Sequence, residues 1–124
     1  MPVTARYIAE HDLVETTLTG AVTLADVEEE IRLTLELIEK HGCERILSDC
    51  SDADFRFSVS DVYKMPAMQE DAGSNRLYKI AVLPPRNNAG RQLASFYEDV
   101  NVNRGWPAKV FDERAEAIEW LCNE

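Results

Sequence analysis

The residues best equipped for chemistry lie in one stretch, Ile46 to Asp61, which reads ILSDCSDADFRFSVSD. Three carboxylates, Asp49, Asp52 and Asp54, follow an apolar strand seed at Ile46 and Leu47, and Ser58, Ser60 and Asp61 close the segment. Clustered aspartates offer the oxygen ligands that a hard cation such as Mg²⁺ requires. Serines at a helix start are positions where an added phosphate would meet free backbone N–H groups. Each group also has a plainer reading. Ser58 or Ser60 would serve as an ordinary helix cap. The acids would form a solvated turn, because the pair Asp52 and Asp54 comes late after the strand, and the later glycine and glutamate of a calcium loop are missing. The plainer readings are preferred, and no metal or cofactor is expected.

Two further clusters could hold a ligand. Pro84-Pro85-Arg86-Asn87-Asn88-Ala89-Gly90-Arg91 follows a strand and opens a helix. Arg86, Arg91 and the backbone N–H groups near Asn88 suit a carboxylate or phosphate. The GxxxxGK[ST] pattern of a P-loop is absent, and an ordinary loop with Asn88 as the cap is the simpler reading. Phe55, Phe57, Tyr63, Met65 and Met68 gather around a helix interrupted by Pro66. Methionines beside aromatics line pockets for apolar molecules, although such residues more often form core. For catalysis the inventory is thin. His11 falls in a turn and His41 at a helix end, and no serine or cysteine has a recognisable base or a GxSxG setting. Trp106 and Trp120 read as packing or interface anchors.

These residues need elements to position them. Val3 to Glu10 and Leu13 to Thr19 read as two strands of a hairpin, closed by Gly20. Thr23 with Asp26 forms a capping-box pattern, Leu24, Val27, Ile31, Leu35 and Ile38 recur at helical spacing, and Gly42 ends the helix. Arg45 to Asp49 reads as a strand and Ser60 to about Glu70 as a helix kinked or split at Pro66. Leu77 to Leu83 is a strand, Asn88 to Asn103 a helix, Ala108 to Phe111 a short strand, and Asp112 caps a final helix. The order β-β-α-β-α-β-α-β-α predicts an α/β fold with a mostly parallel sheet, right-handed crossovers and one antiparallel strand.

Composition bounds the rest. At 124 residues the chain fits a single domain, 1–124, able to bury a core without staples. Thirteen basic against 23 acidic residues give a net charge of −10, which repels nucleic-acid backbones and anionic lipid surfaces. Cys43, Cys50 and Cys122 form no CxxC pair and fit reduced thiols rather than zinc or disulfides. No apolar run is long enough to span a bilayer, and the first residues lack a signal-peptide core, so a cytoplasmic location is expected.

The order of elements resembles the STAS fold of bacterial anti-sigma-factor antagonists, and more closely their divergent STAS-like or SEC14-like relatives. The resemblance is carried by Leu13-Val14 with Thr19-Gly20, Ile46-Leu47-Ser48-Asp49, Ser58-Val59-Ser60-Asp61-Val62-Tyr63 and Lys79-Ile80-Ala81-Val82. Later in the chain it rests on Phe96-Tyr97-Glu98, Asn103-Arg104-Gly105, Phe111-Asp112 and Ala117-Ile118-Glu119-Trp120-Leu121. It implies a wound βα superhelix of about five strands and four helices, and a cytoplasmic, non-enzymatic protein. Phosphorylation-switched members carry an Asp-Ser-Ser-Gly-type motif, whereas this chain has Phe57-Ser58-Val59-Ser60-Asp61, without the glycine or an adjacent serine pair. The switch does not carry over directly, and Ser58 and Ser60 are its candidate positions.

The leading expectation is therefore a small binding or regulatory module acting through protein contacts, with Asp49, Asp52, Asp54, Ser58, Ser60 and Asp61 as the contact loop. The alternative is a binder of a small apolar or anionic ligand at the loops following strands 3 and 4. A homo-oligomer is compatible with either.

Overall fold

A computed structural model describes residues 2–123. Five strands, β1 (Val3–Ile8), β2 (Leu13–Val22), β3 (Arg45–Phe55), β4 (Lys79–Leu83) and β5 (Ala108–Val110), lie in the order β1-β2-β3-β4-β5. Strands β1 and β2 pair antiparallel and every later pair is parallel. The intervening helices are α1 (Leu24–His41), α2 (Val59–Asp71) and α3 (Asn88–Asn103), with α4 (Arg114–Cys122) last.

The strands show why the sheet is covered on both faces. Ile46, Ser48 and Cys50 alternate with Leu47 along β3, and Ile80 and Val82 alternate with Ala81 and Leu83 along β4, so the two sets point to opposite faces. The first set packs with residues of α1, α2 and α3, including Val27, Ile38, Val62, Met65 and Ala94. The second set, with Leu13, packs against Ala117 and Leu121 of α4. Crossovers of one hand between consecutive parallel strands place α1 to α3 on the same side, leaving the short α4 to cover the other.

Several boundaries follow the expected chemistry. Thr23 and Asp26 form a reciprocal capping box on α1, and Gly42 ends it in the left-handed region at φ 68°. His41, in the last turn, stacks on Tyr7 with ring centroids 3.8 Å apart.

Other boundaries correct the sequence reading. Strand β3 does not end at Asp49 but runs to Phe55, so Asp49, Asp52 and Asp54 lie on a strand rather than in a loop. The cause is β2, which passes Gly20 and continues to Val22, pairing Thr19 with Asp52 and Val22 with Phe55. Strand β4 stops at Leu83, opposite Asp49, so beyond that point β3 has a partner on one edge only and tolerates polar residues. A register shift between Thr17 and Thr19 absorbs the irregularity.

Helix α2 neither splits nor ends at Pro66. Pro66 supplies no N–H for the Val62 carbonyl, but Val62, Met65, Pro66 and Gln69 are all buried, and packing on both sides of the proline keeps one helix. Helix α3 is capped by Asn87 rather than Asn88, through a 2.6 Å bond from the Gly90 N–H. The cap residue of α4 is Glu113, without a side-chain bond, because the Asp112 carboxylate instead accepts from Arg91 at 2.6 Å. Strands β1, β4 and β5 are shorter than expected, at Val3–Ile8, Lys79–Leu83 and Ala108–Val110.

Candidate functional site

The end of β3 delivers the chain to the start of α2, and the sequence candidates divide there. Ser58 is the N-cap of α2 in extended geometry. Its hydroxyl accepts from the Asp61 N–H at 3.3 Å, and the Asp61 carboxylate accepts from the Ser58 N–H at 2.9 Å. The Ser58 backbone N–H, followed by the Ser58 hydroxyl and Lys64, holds the Asp61 carboxyl below its usual pKa range. The Ser60 hydroxyl lies 3.0 Å from that of Ser58. Val59 and Tyr63 stand one turn apart on the same exposed face, 53% and 58% accessible.

The three acids of β3 do not converge. Asp49 accepts from the backbone and hydroxyl of Ser51 at 3.0 and 2.7 Å. Asp52 pairs with Arg86 at 2.5 Å and Asp54 with Arg56 at 2.7 Å. No group of three metal-ligating side chains forms among the described residues. Alternation along β3 puts Asp52 and Asp54 on the same exposed face, but each carboxylate is turned to its own arginine.

The proposed anion cluster is likewise drawn apart. Arg86 is engaged by Asp52 of β3 and Arg91 by Asp112 ahead of α4, while Asn88 is exposed and is not the cap. Both guanidinium groups already have a carboxylate partner, and those partners belong to different elements.

Of the apolar set, Phe55, Phe57 and Met65 come together. They help to line a cavity of about 90 Å³ between the sheet and helices α1, α2 and α3. Phe55 and Phe57 are in contact at 4.7 Å between centroids. Tyr63 lies outside, exposed and edge-on to Phe96, and Met68 faces a groove between α1 and α2. The cavity that these three residues line lies under the helices.

Two polar residues of this cavity went unrecognised in the sequence. Glu30 of α1 and Ser48 of β3 line it, and the Glu30 Oε2 accepts from Ser48 at 2.6 Å and from Thr16 of β2 at 2.6 Å. Burial pushes the Glu30 carboxyl above its usual pKa, against the two hydroxyl bonds. The signal was present: position 30 falls between Val27, Ile31 and Thr34 on the core-facing stripe, and Ser48 alternates with Ile46 and Cys50.

Neither a family model nor a curated protein matches this sequence. Solved structures do. An uncharacterised protein of the DUF3478 family with a SpoIIAA-like fold, from Shewanella loihica PV-4, superposes with a TM-score of 0.62 at 17% identity, covering 97% of this chain and 92% of that one. The anti-sigma factor antagonist SpoIIAA in its unphosphorylated form superposes with a TM-score of 0.55 at 17% identity, covering 98% and 99%. The fold is SpoIIAA-like. The STAS-like architecture expected from the order of elements is thus the observed one, and the likeness spans nearly the whole of both chains. Neither neighbour is described as SEC14-like. No helix among the described residues is long and apolar enough to cross a membrane.

Proposed function

We propose that this protein is a non-enzymatic regulatory module that works in the cytoplasm through contacts with another protein, made at the start of helix α2. The observation that carries the reading is the exposure of Val59 and Tyr63 on one helical face, beside Ser58 and Ser60. Apolar and aromatic groups at a solvent-facing helix start gain by being covered, and tyrosine is enriched at the energetic centres of interfaces. Asp54 and Arg56 on the strand side and Lys64 on the helix supply a charged rim. The SpoIIAA neighbour is an anti-sigma factor antagonist, which supports a regulatory role for the same fold.

Ser58 and Ser60 have different roles in this reading. Ser58 holds the helix end, whereas Ser60 is exposed in the first turn and is the better position for a modification. A phosphate on Ser60 would face the Asp61 carboxylate, with Lys64 and Arg56 the nearest cations in sequence, and would change the charge of the contact surface. The test is comparative capture from native lysate with the wild-type chain and the Val59→Asp and Tyr63→Ala variants. A partner held by the wild type and lost from both variants supports the reading. An unchanged set of captured proteins, or none, counts against it.

A further inference from the structure

The structure assigns a second site, in the cavity beneath helices α1 to α3, and we propose that it takes a compact apolar amine whose N–H group donates to Glu30. This goes beyond the protein-contact reading and rests on different residues. The walls are mainly apolar, from Leu18, Val27, Phe55, Val62, Met65 and Leu93 among others, and the space is about 90 Å³. That is somewhat smaller than the roughly 150 Å³ in which benzene settles in an apolar protein cavity, so the body is a short chain or a small ring.

Glu30 marks the polar end. Its Oε2 accepts two hydroxyl bonds, from Thr16 and Ser48, and so is used as an acceptor on both lone pairs. Its Oε1 has no hydrogen-bond partner among the described residues. No fully sealed side-chain oxygen or nitrogen among the described residues lacks a partner, so Oε1 borders accessible space. One side of an otherwise satisfied carboxyl is thus left to a donor that the chain itself does not provide.

The charge of the walls selects the kind of donor. No lysine, arginine or histidine lines the cavity, and the other ionisable groups there are the acids Cys50 of β3 and Tyr97 of α3. The pKa values of Glu30, Cys50 and Tyr97 are all raised, chiefly by burial. A ligand ammonium donating to Oε1 would favour the charged form of the Glu30 carboxyl, which burial alone disfavours. A carboxylate ligand would bring an anion into walls that hold no cation to receive it. An uncharged hydrocarbon would fill the walls and leave Oε1 unpaired.

The test keeps the ring and varies the head. Cyclopentylamine, cyclopentane and cyclopentanecarboxylate are titrated into the ¹⁵N-labelled full chain near neutral pH and followed by amide chemical shifts. The amine is expected to saturate shifts at cavity-lining residues and to bind at least tenfold more tightly than either control. Glu30→Gln is expected to weaken the amine at least tenfold. Ala94→Leu, which adds volume to a cavity wall without touching Glu30, is expected to abolish binding. Equal binding of the hydrocarbon or the carboxylate overturns the proposal. So do the absence of saturation at millimolar amine, and shifts confined to the acidic groove around Glu28, Glu29 and Glu36. If Glu30→Gln fails to fold by circular dichroism, the comparison of head groups on the wild type decides alone.

Discussion

Replacing Ser58 separates its work as a helix cap from any role in a switch. In Ser58→Ala the hydroxyl that accepts from the Asp61 N–H is lost, but the Asp61 carboxylate still accepts from the Ser58 N–H at 2.9 Å. The lost bond is 3.3 Å, at the long end for N–H···O. Only half of a reciprocal box therefore goes, and the weaker half. Cap removal costs about 0.5–2 kcal/mol, which places this variant in the lower part of that range, about 0.5–1 kcal/mol. For a chain of this length that corresponds to a fall of about 2–6 °C in Tm. Ser60→Ala removes a hydroxyl that contacts only Ser58 Oγ and is expected to be within about 0.5 kcal/mol of wild type. Ser58→Asp keeps a good cap and should retain wild-type stability. Urea unfolding followed by far-UV circular dichroism measures all three. The reasoning fails if Ser60→Ala costs as much as Ser58→Ala, or if Ser58→Asp is as unstable as the alanine variant. A stable Ser58→Asp also means that a change in partner capture by that variant reports charge at the surface and not a melted helix.

Two further outcomes test other parts of the molecule. Glu15 of β2 is buried and held by both guanidinium nitrogens of Arg114 on α4, one at 2.8 Å, so Arg114→Gln should cost about 1–2 kcal/mol, less than a fully buried pair because Arg114 is 43% exposed. The Arg114 hydrogen bonds lower the Glu15 pKa below the usual 4.5, so this contribution is present above that pH and is lost as the pH falls below it. Unfolding curves of wild type and variant should accordingly differ at pH 7 and draw together as the pH is lowered progressively below 4.5, and a constant difference would exclude the pairing as the cause. Cys43 and Cys50 are buried with thiol pKa values raised chiefly by burial, while Cys122 is exposed. Iodoacetamide on the native protein should therefore label Cys122 first, read by mass spectrometry, with the other two reacting only in denaturant. Equal labelling of all three in the native state would contradict the described core.

Local signals were readable wherever a motif and its partner are near in sequence. The Thr23–Asp26 box, the stripe on α1 and Gly42 belong to one helix, and the structure has all three as read. The same is true of the general position of α2 and α3 and of the order of elements that led to the fold. Most of the errors concern interactions with distant residues, and the cap of α3 is a local one, displaced by a single position. Asp112 and Asn88 are respectable cap residues in isolation. Arg91 lies 21 residues from Asp112 and takes its carboxylate, and Asn87 makes the better bond to Gly90. Pro66 ought to break a lone helix, yet buried flanks hold α2 together.

The stretch from Ile46 to Asp61 shows both sides most clearly. Its amino acids alone determined that a strand would lead to a capped helix start, because apolar pairs, capping residues and their spacing act over a few positions. Only the tertiary structure decided the length of that strand, since backbone pairing with β2 extends β3 through its acids to Phe55. The same pairing disperses Asp49, Asp52 and Asp54 among three different partners. It also brings Ser48 beside Thr16 and within 2.6 Å of Glu30, a glutamate on a helix 18 residues earlier. Helical and strand periods can mark each of these residues as inward-facing, but only sheet register and helix packing make them one site.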